Sequence, residues 1–205
     1  MKVLMINGSP RVNGNTSLAL KEMEKIFIEN GVESEIINVG SKPVRGCAGC
    51  LACFEKGKCA FDDIVNEAAV KFEKADGLVI ASPVYYASAN GTLISFLDRL
   101  FYSSHFDKTM KVGASVAVAR RAGTTATFDE LNKYFAISSM PIASSNYWNE
   151  VHGRNKGEAA EDGEGMQSLR TLARNMAFLM KSIELGKKEF GLPEKEERIW
   201  THFVR

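Results

Sequence analysis

The chain has 205 residues, 45% of them hydrophobic and 25% charged, with a net charge of +1. Such a composition excludes an extended disordered chain and predicts a soluble globular protein with a full core. Near-neutral charge leaves no basic face for nucleic acid or an anionic membrane surface, so neither partner is expected.

Residues 2–6 (KVLMI) form the first apolar run. Asn7 and Gly8 interrupt it too early for the core of a signal peptide. No later run approaches the roughly 18 apolar residues of a membrane span, and a cytoplasmic location is expected. The pattern then predicts a helix at 16–29, a strand at 34–38, a helix at 62–74, a strand at 78–82 and a helix at 91–102. A strand at 112–118, a helix at 126–136, a strand at 140–144 and a long final helix at 166–187 complete the series. Strand and helix alternating in this way imply right-handed crossovers and a parallel sheet covered on both faces. Five strands in this length fit an α/β, flavodoxin-like three-layer sandwich with strand order 2-1-3-4-5. Residues 1–205 thus read as a single domain with a cysteine-rich loop at 45–60 and a long C-terminal helix.

Ligands of such a sheet lie outside the carboxyl ends of the strands. The loops there are 8–16, 39–61, 83–90, 119–125 and 145–165. The first, GSPRVNGNTS, concentrates hydroxyls, amides and a guanidinium where a helix begins, and unpaired backbone N–H groups there favour an anion. Ser9, Arg11, Asn15, Thr16 and Ser17 are the candidate phosphate-binding residues. The chain has no Walker lysine and no G-x-G-x-x-G, which argues against a nucleoside triphosphate or a Rossmann-type dinucleotide. A bland alternative is that Asn15 or Thr16 only caps the helix while Gly14 makes the turn.

All four cysteines fall in one C-x2-C-x2-C-x5-C run, Cys47, Cys50, Cys53 and Cys59. A disulfide framework would spread them, and a reducing cytosol disfavours pairing. Three readings stay open: a [4Fe–4S] cluster, four-thiolate zinc, and a loop of ordinary thiols. Asp62 and Asp63 read as the cap and first turn of the next helix, and Asp98 and Arg99 as a helix-surface pair.

GSPRVNGNTS resembles the flavin phosphate loop of the NADPH-dependent FMN reductase group, and the cysteine run is similar to that of the iron–sulfur flavoproteins within it. Ser82-Pro83-Val84-Tyr85-Tyr86 followed by Phe96-Leu97-Asp98-Arg99 resembles the group's second flavin loop and helix, and Arg120-Arg121-Ala122-Gly123-Thr124 its third loop. The resemblance covers about residues 1–153. It implies an FMN-dependent oxidoreductase using NAD(P)H, with a small-molecule or redox-protein electron acceptor. Pro83, Val84, Tyr85 and Tyr86, with Arg121, Gly123 and Thr124, would surround the ribityl chain and ring, and Arg121 is preferred to Arg120 as the inward arginine. The four cysteines would hold the cluster beside the flavin, at the carboxyl edge of the sheet. The resemblance also implies a homodimer or homotetramer, with Trp148 and Trp200 as interface candidates. No side chain need act as a nucleophile or base, since the cofactor carries the chemistry, and His152 reads as a surface-loop residue. The rival is a flavodoxin-like electron carrier without its own substrate, although near-neutral charge gives it little to steer docking.

Overall fold

In Lys2–Asn7 (β1) every residue after Lys2 is buried, and the two sets of alternate side chains face different layers. Val3 and Met5 join one apolar cluster, Leu4 and Ile6 another, as the period of two in a strand requires. The structure, a computed structural model, describes residues 1–197, 199–201 and 203. After β1 come α1 (Asn15–Glu29), β2 (Glu33–Asn38), the short α2 (Ala52–Lys56) and α3 (Ile64–Glu73). Then follow β3 (Gly77–Tyr85), the two-residue β4 (Ser88–Ala89), α4 (Gly91–Ser103), β5 (Val112–Ala119) and α5 (Thr124–Ala136). The chain continues through β6 (Glu150–His152), a 3-10 turn at Glu158–Glu161 and α6 (Gly163–Phe190).

The sheet runs β2-β1-β3-β5-β6 with parallel pairing throughout, and β4 adds an antiparallel hairpin to the end of β3. Apart from that hairpin this is the expected flavodoxin-like order. Both faces of β1 and β3 are buried because α1 and α6 cover one side and α3, α4 and α5 the other. Leu20, Met23, Phe27, Leu172 and Met176 fill the first layer. Phe72, Leu93, Phe96, Leu100 and Phe135 fill the second. Glu22 of α1 joins the helices of the first layer by an ion pair to Arg170 of α6 at 2.8 Å.

The last strand differs from the sequence expectation. Residues 140–144 make only an isolated parallel bridge, Gly113 to Ile142, in which the Gly113 amide donates to the Pro141 carbonyl at 2.8 Å. The chain then leaves the sheet and returns to β5 at Glu150–His152, with Ala117 paired to Glu150. One β5 edge therefore carries two short pieces in place of one strand, and the detour between them presents Tyr147 and Trp148 to solvent, ring centroids 4.7 Å apart. Among the described residues no helix is long and apolar enough to cross a membrane.

Candidate functional site

The carboxyl ends of β1, β3, β5 and β6 surround a cleft of about 320 Å³. From the first loop Ser9, Arg11, Asn13, Gly14, Asn15 and Thr16 line it. Helix α1 starts at Gly14 with no side-chain cap and no acidic residue in its first turn. Its leading N–H groups therefore face the cleft with the positive end of the helix dipole behind them. Ser9 is held in place on both sides: its amide donates to Asn7 Oδ1 at 3.0 Å and its Oγ accepts from the Arg11 amide at 3.1 Å.

Pro83, Val84 and Tyr85 at the end of β3 form the opposite wall, with Val118, Ala119 and Arg120 from β5 and the loop behind it. Gly153, Arg154 and Lys156, after β6, close the third side. Arg11, Arg120, Arg154 and Lys156 thus give the cleft four cations and its lining has no acidic side chain. An anion entering it meets charge of one sign from three loops.

Of the twelve residues expected to bind a cofactor, Ser9, Arg11, Asn15, Thr16, Pro83, Val84 and Tyr85 line the cleft. Ser17 is buried in the first turn of α1 behind it. Tyr86 is fully exposed, with a φ of 54°. Between the two arginines it is Arg120 that lines the cleft, while the Arg121 carbonyl lies 3.1 Å from His152 Nε2. A carbonyl only accepts, so in this contact Nε2 is the donor, while Nδ1 lies 3.6 Å from Asp162 Oδ2. The histidine belongs to β6, not to a surface loop. Gly123 precedes α5 with a φ of 91°, and a Cβ there would lie 2.7 Å from Val84 Cγ1; the close approach brings this turn against the β3 wall. Thr124 is buried beside it as the first residue of α5.

Asn15 braces the site. Its Nδ2 donates to the Asn155 carbonyl at 2.9 Å, and its Oδ1 accepts from the amides of Gly157 and Ala159 at 3.0 and 3.4 Å. The Glu158 carboxylate accepts from the amides of Arg154 and Asn155 at 2.7 and 2.8 Å. These bonds hold its pKa below the ordinary carboxylate value. Arg154 and Lys156 were not expected from the sequence. Their signal was position: two basic residues between Gly153 and Gly157, directly after the last strand.

The cysteine loop leaves the same edge of the sheet but does not stay there. Val39 and Gly40 amides donate to the Asn7 carbonyl at 2.9 and 3.3 Å, and the cysteines then pack along the second half of α4. Arg99 and Ser103 lie ~12 and ~18 Å along that helix from its start. The cavity that all four cysteines line shares no residue with the cleft. Cys47 and Cys50 are exposed, Cys59 is half-buried and Cys53 is buried. Positive φ at Gly49, Leu51 and Gly57 bends the loop back on itself. Among the described residues no group of three or more His, Cys, Asp or Glu side chains is gathered tightly enough to hold a single metal ion.

Arg99 is not on the helix surface. It is 1% exposed, and its guanidinium grips Asp63 at 2.7 and 3.0 Å. Nε and one terminal nitrogen donate to Cys59 Sγ at 3.3 and 3.2 Å, and the carbonyls of Phe61 and Arg45 accept the remaining bonds. Burial alone would lower its pKa; the bonds to Asp63 and Cys59 outweigh burial and raise it. Asp63 also caps α3, as expected, accepting from the Val65 amide at 3.0 Å. Asn66 fixes the Cys59 backbone on both sides, accepting from its amide at 3.0 Å and donating to its carbonyl at 3.1 Å.

The donor set fits an iron–sulfur group. Four thiols face one cavity, a buried guanidinium points at one of them, and the buried Ser103 Oγ on the cavity wall has no hydrogen-bond partner. Residues 1–154 match the model of the NADPH-dependent FMN reductase family. The chain is 34% identical over 192 residues to an iron–sulfur flavoprotein of Methanocaldococcus jannaschii, covering 90% of this chain and 100% of the relative. It is 28% identical over 191 residues to an iron–sulfur flavoprotein of Methanosarcina thermophila, covering 91% and 99%. A solved flavodoxin from the domain Archaea shares the fold, with a TM-score of 0.60 at 13% identity over 88% of this chain and 99% of its own. Because the matched stretch takes in the phosphate loop, the cysteine run and the walls contributed by β3 and β5, the chain belongs to the NADPH-dependent FMN reductase family.

Proposed function

We propose that this FMN reductase-type oxidoreductase binds FMN in the cleft at the start of α1 and takes electrons from NAD(P)H for a small-molecule or redox-protein acceptor. The observation that carries the reading is the uncapped N-terminus of α1, opening into a cleft with four cations and no acid in its lining. A phosphate dianion satisfies the leading N–H groups, and Arg11 adds a charge-assisted bond. Ser9, Thr16 and Ser17 stand close to the same turn, while Asn15, already bonded to three backbone groups, holds the far wall in place.

When bound, FMN accepts a hydride, two electrons and a proton, and can release electrons singly. The protein's part is position and charge. Pro83, Val84 and Tyr85 supply an apolar wall for a ring, and Arg120 sets a fixed positive group where reduction would build negative charge. In this reading Cys47, Cys50, Cys53 and Cys59 hold a [4Fe–4S] cluster that passes electrons one at a time. One cavity lined by all four cysteines supports it, and so does their spacing, since three consecutive short gaps suit a cluster better than the two separated C-x2-C knuckles usual for structural zinc. Assembly as a homodimer or homotetramer belongs to the same reading. The exposed Tyr86, Tyr147 and Trp148 support it, and light scattering that reports a monomer rejects it.

Flavin-free protein titrated with FMN should quench flavin fluorescence to saturation. Arg11→Ala should weaken binding about tenfold or more, from the ~1.5–3 kcal/mol of a hydrogen bond to a charged group. Absence of binding in the parent protein rejects the cleft assignment. NAD(P)H oxidation with a quinone, dye or flavin acceptor then separates the enzyme from a carrier, which would turn over none of them.

A further inference from the structure

Helix α4 sets two polar residues on the wall of the cysteine cavity from positions four apart, hence one above the other on a single face. Arg99 donates twice to Cys59 Sγ, at 3.2 and 3.3 Å. Ser103 lines the same cavity, is 3% exposed, and its Oγ has no hydrogen-bond partner. The next residue displays the usual alternative. Ser104, the C-cap, donates its Oγ to the Leu100 carbonyl at 2.5 Å, the same four-back bond that serines within helices make. Ser103 does not use the corresponding bond. A buried hydroxyl is rarely left unpaired in a native protein, so this one marks a place where an acceptor belongs.

Resting on the reading that the four cysteines hold a [4Fe–4S] cluster, we propose that Ser103 and Arg99 are positioning residues whose hydrogen bonds to the site's sulfurs raise the cluster's reduction potential. One-electron reduction adds a negative charge to the cluster, and a donor aimed at sulfur stabilises the reduced form more than the oxidised one. The Arg99 charge is shared with Asp63, which grips it with both carboxylate oxygens. Ser103 is neutral and has no structural bond to lose. It therefore offers the cleaner test.

Protein purified without oxygen is assayed for iron and acid-labile sulfide, then titrated electrochemically while the reduced cluster is followed by electron paramagnetic resonance. Ser103→Ala should lower the reduced-to-oxidised ratio at a fixed ambient potential about tenfold, or about 59 mV for a one-electron couple. Ser103→Thr, which keeps the hydroxyl, should stay near the parent value. Cluster-free Ser103→Ala should unfold at no lower temperature than the cluster-free parent. An unchanged potential in Ser103→Ala, an equal fall in Ser103→Thr, or a destabilised cluster-free Ser103→Ala overturns the role of Ser103 while leaving the cluster in place. A parent protein that takes up no iron overturns the cluster reading, and this inference with it.

Discussion

Tyr86 occupies a left-handed conformation, φ 54°, with its ring wholly in solvent and next to the cleft wall. A bulky L residue at positive φ is unfavourable by about 1–2 kcal/mol, and its own side chain recovers nothing by burial. Strain held at such a place points to a use for the side chain. Tyr86→Gly is expected to raise stability by about 1 kcal/mol in chemical denaturation and to weaken FMN binding; a variant that gains stability and keeps full FMN affinity removes Tyr86 from the site. Arg99 gives the opposite lesson about reading single residues. Beside Asp98 it had the pattern of a solvated helical pair, because sequence does not reveal that the cysteine loop covers that face of α4 and buries the guanidinium against Asp63 and Cys59. Ser103 was invisible for the same reason: a serine at a helix end looks like surface until the loop over it is seen.

Elements with strong periodicity were legible. β1, β3, α1 and α4 begin and end within a few residues of their expected limits, because each buries a regular apolar face. The last strand was not, since 140–144 carries the apolar signal but meets β5 only through the bridge at Gly113, whereas Glu150–His152 pairs in register with a single buried residue, Val151. The cleft was half legible. The phosphate loop and the β3 wall had local motifs, while Arg154 and Lys156 are brought to the site by long-range contacts, the pairing of β6 with β5 and the bonds by which Asn15 ties the start of α1 to the segment after β6. Asn15→Ala should therefore act across elements. It removes hydrogen bonds to Asn155, Gly157 and Ala159, each contributing about 0.5–1.5 kcal/mol, and should lower FMN affinity together with protection of the 155–159 amides in hydrogen exchange. Lost affinity with unchanged protection would instead make Asn15 a direct ligand.

Across the molecule, carboxylates join separated parts of the fold. The hydrogen bond from Arg170 and that from Lys25 lower the Glu22 pKa from its ordinary 4.5, and bonds from Lys2 and Lys71 lower that of Glu35. A depressed carboxylate stabilises the fold above its unfolded pKa, and this contribution fades as pH falls through and below about 4.5. The melting temperature should drop over that range. Glu22→Gln, lacking one of these groups, should start lower and fall less steeply; the effect is on the order of 1 kcal/mol or less because the partners are partly exposed. The two sites meet at Asn7, whose side chain orients Ser9 and whose carbonyl accepts from Val39 and Gly40, and otherwise draw on different parts of the chain. The cysteine loop is anchored by Asp63 and Asn66 of the α3 start and by Arg99 of α4, and none of these lines the cleft. Such an attachment should let the four thiols be replaced while the pocket keeps its walls: a variant with all four cysteines changed to serine is expected to bind FMN near the parent affinity, and a large loss would show that the loop shapes the cleft.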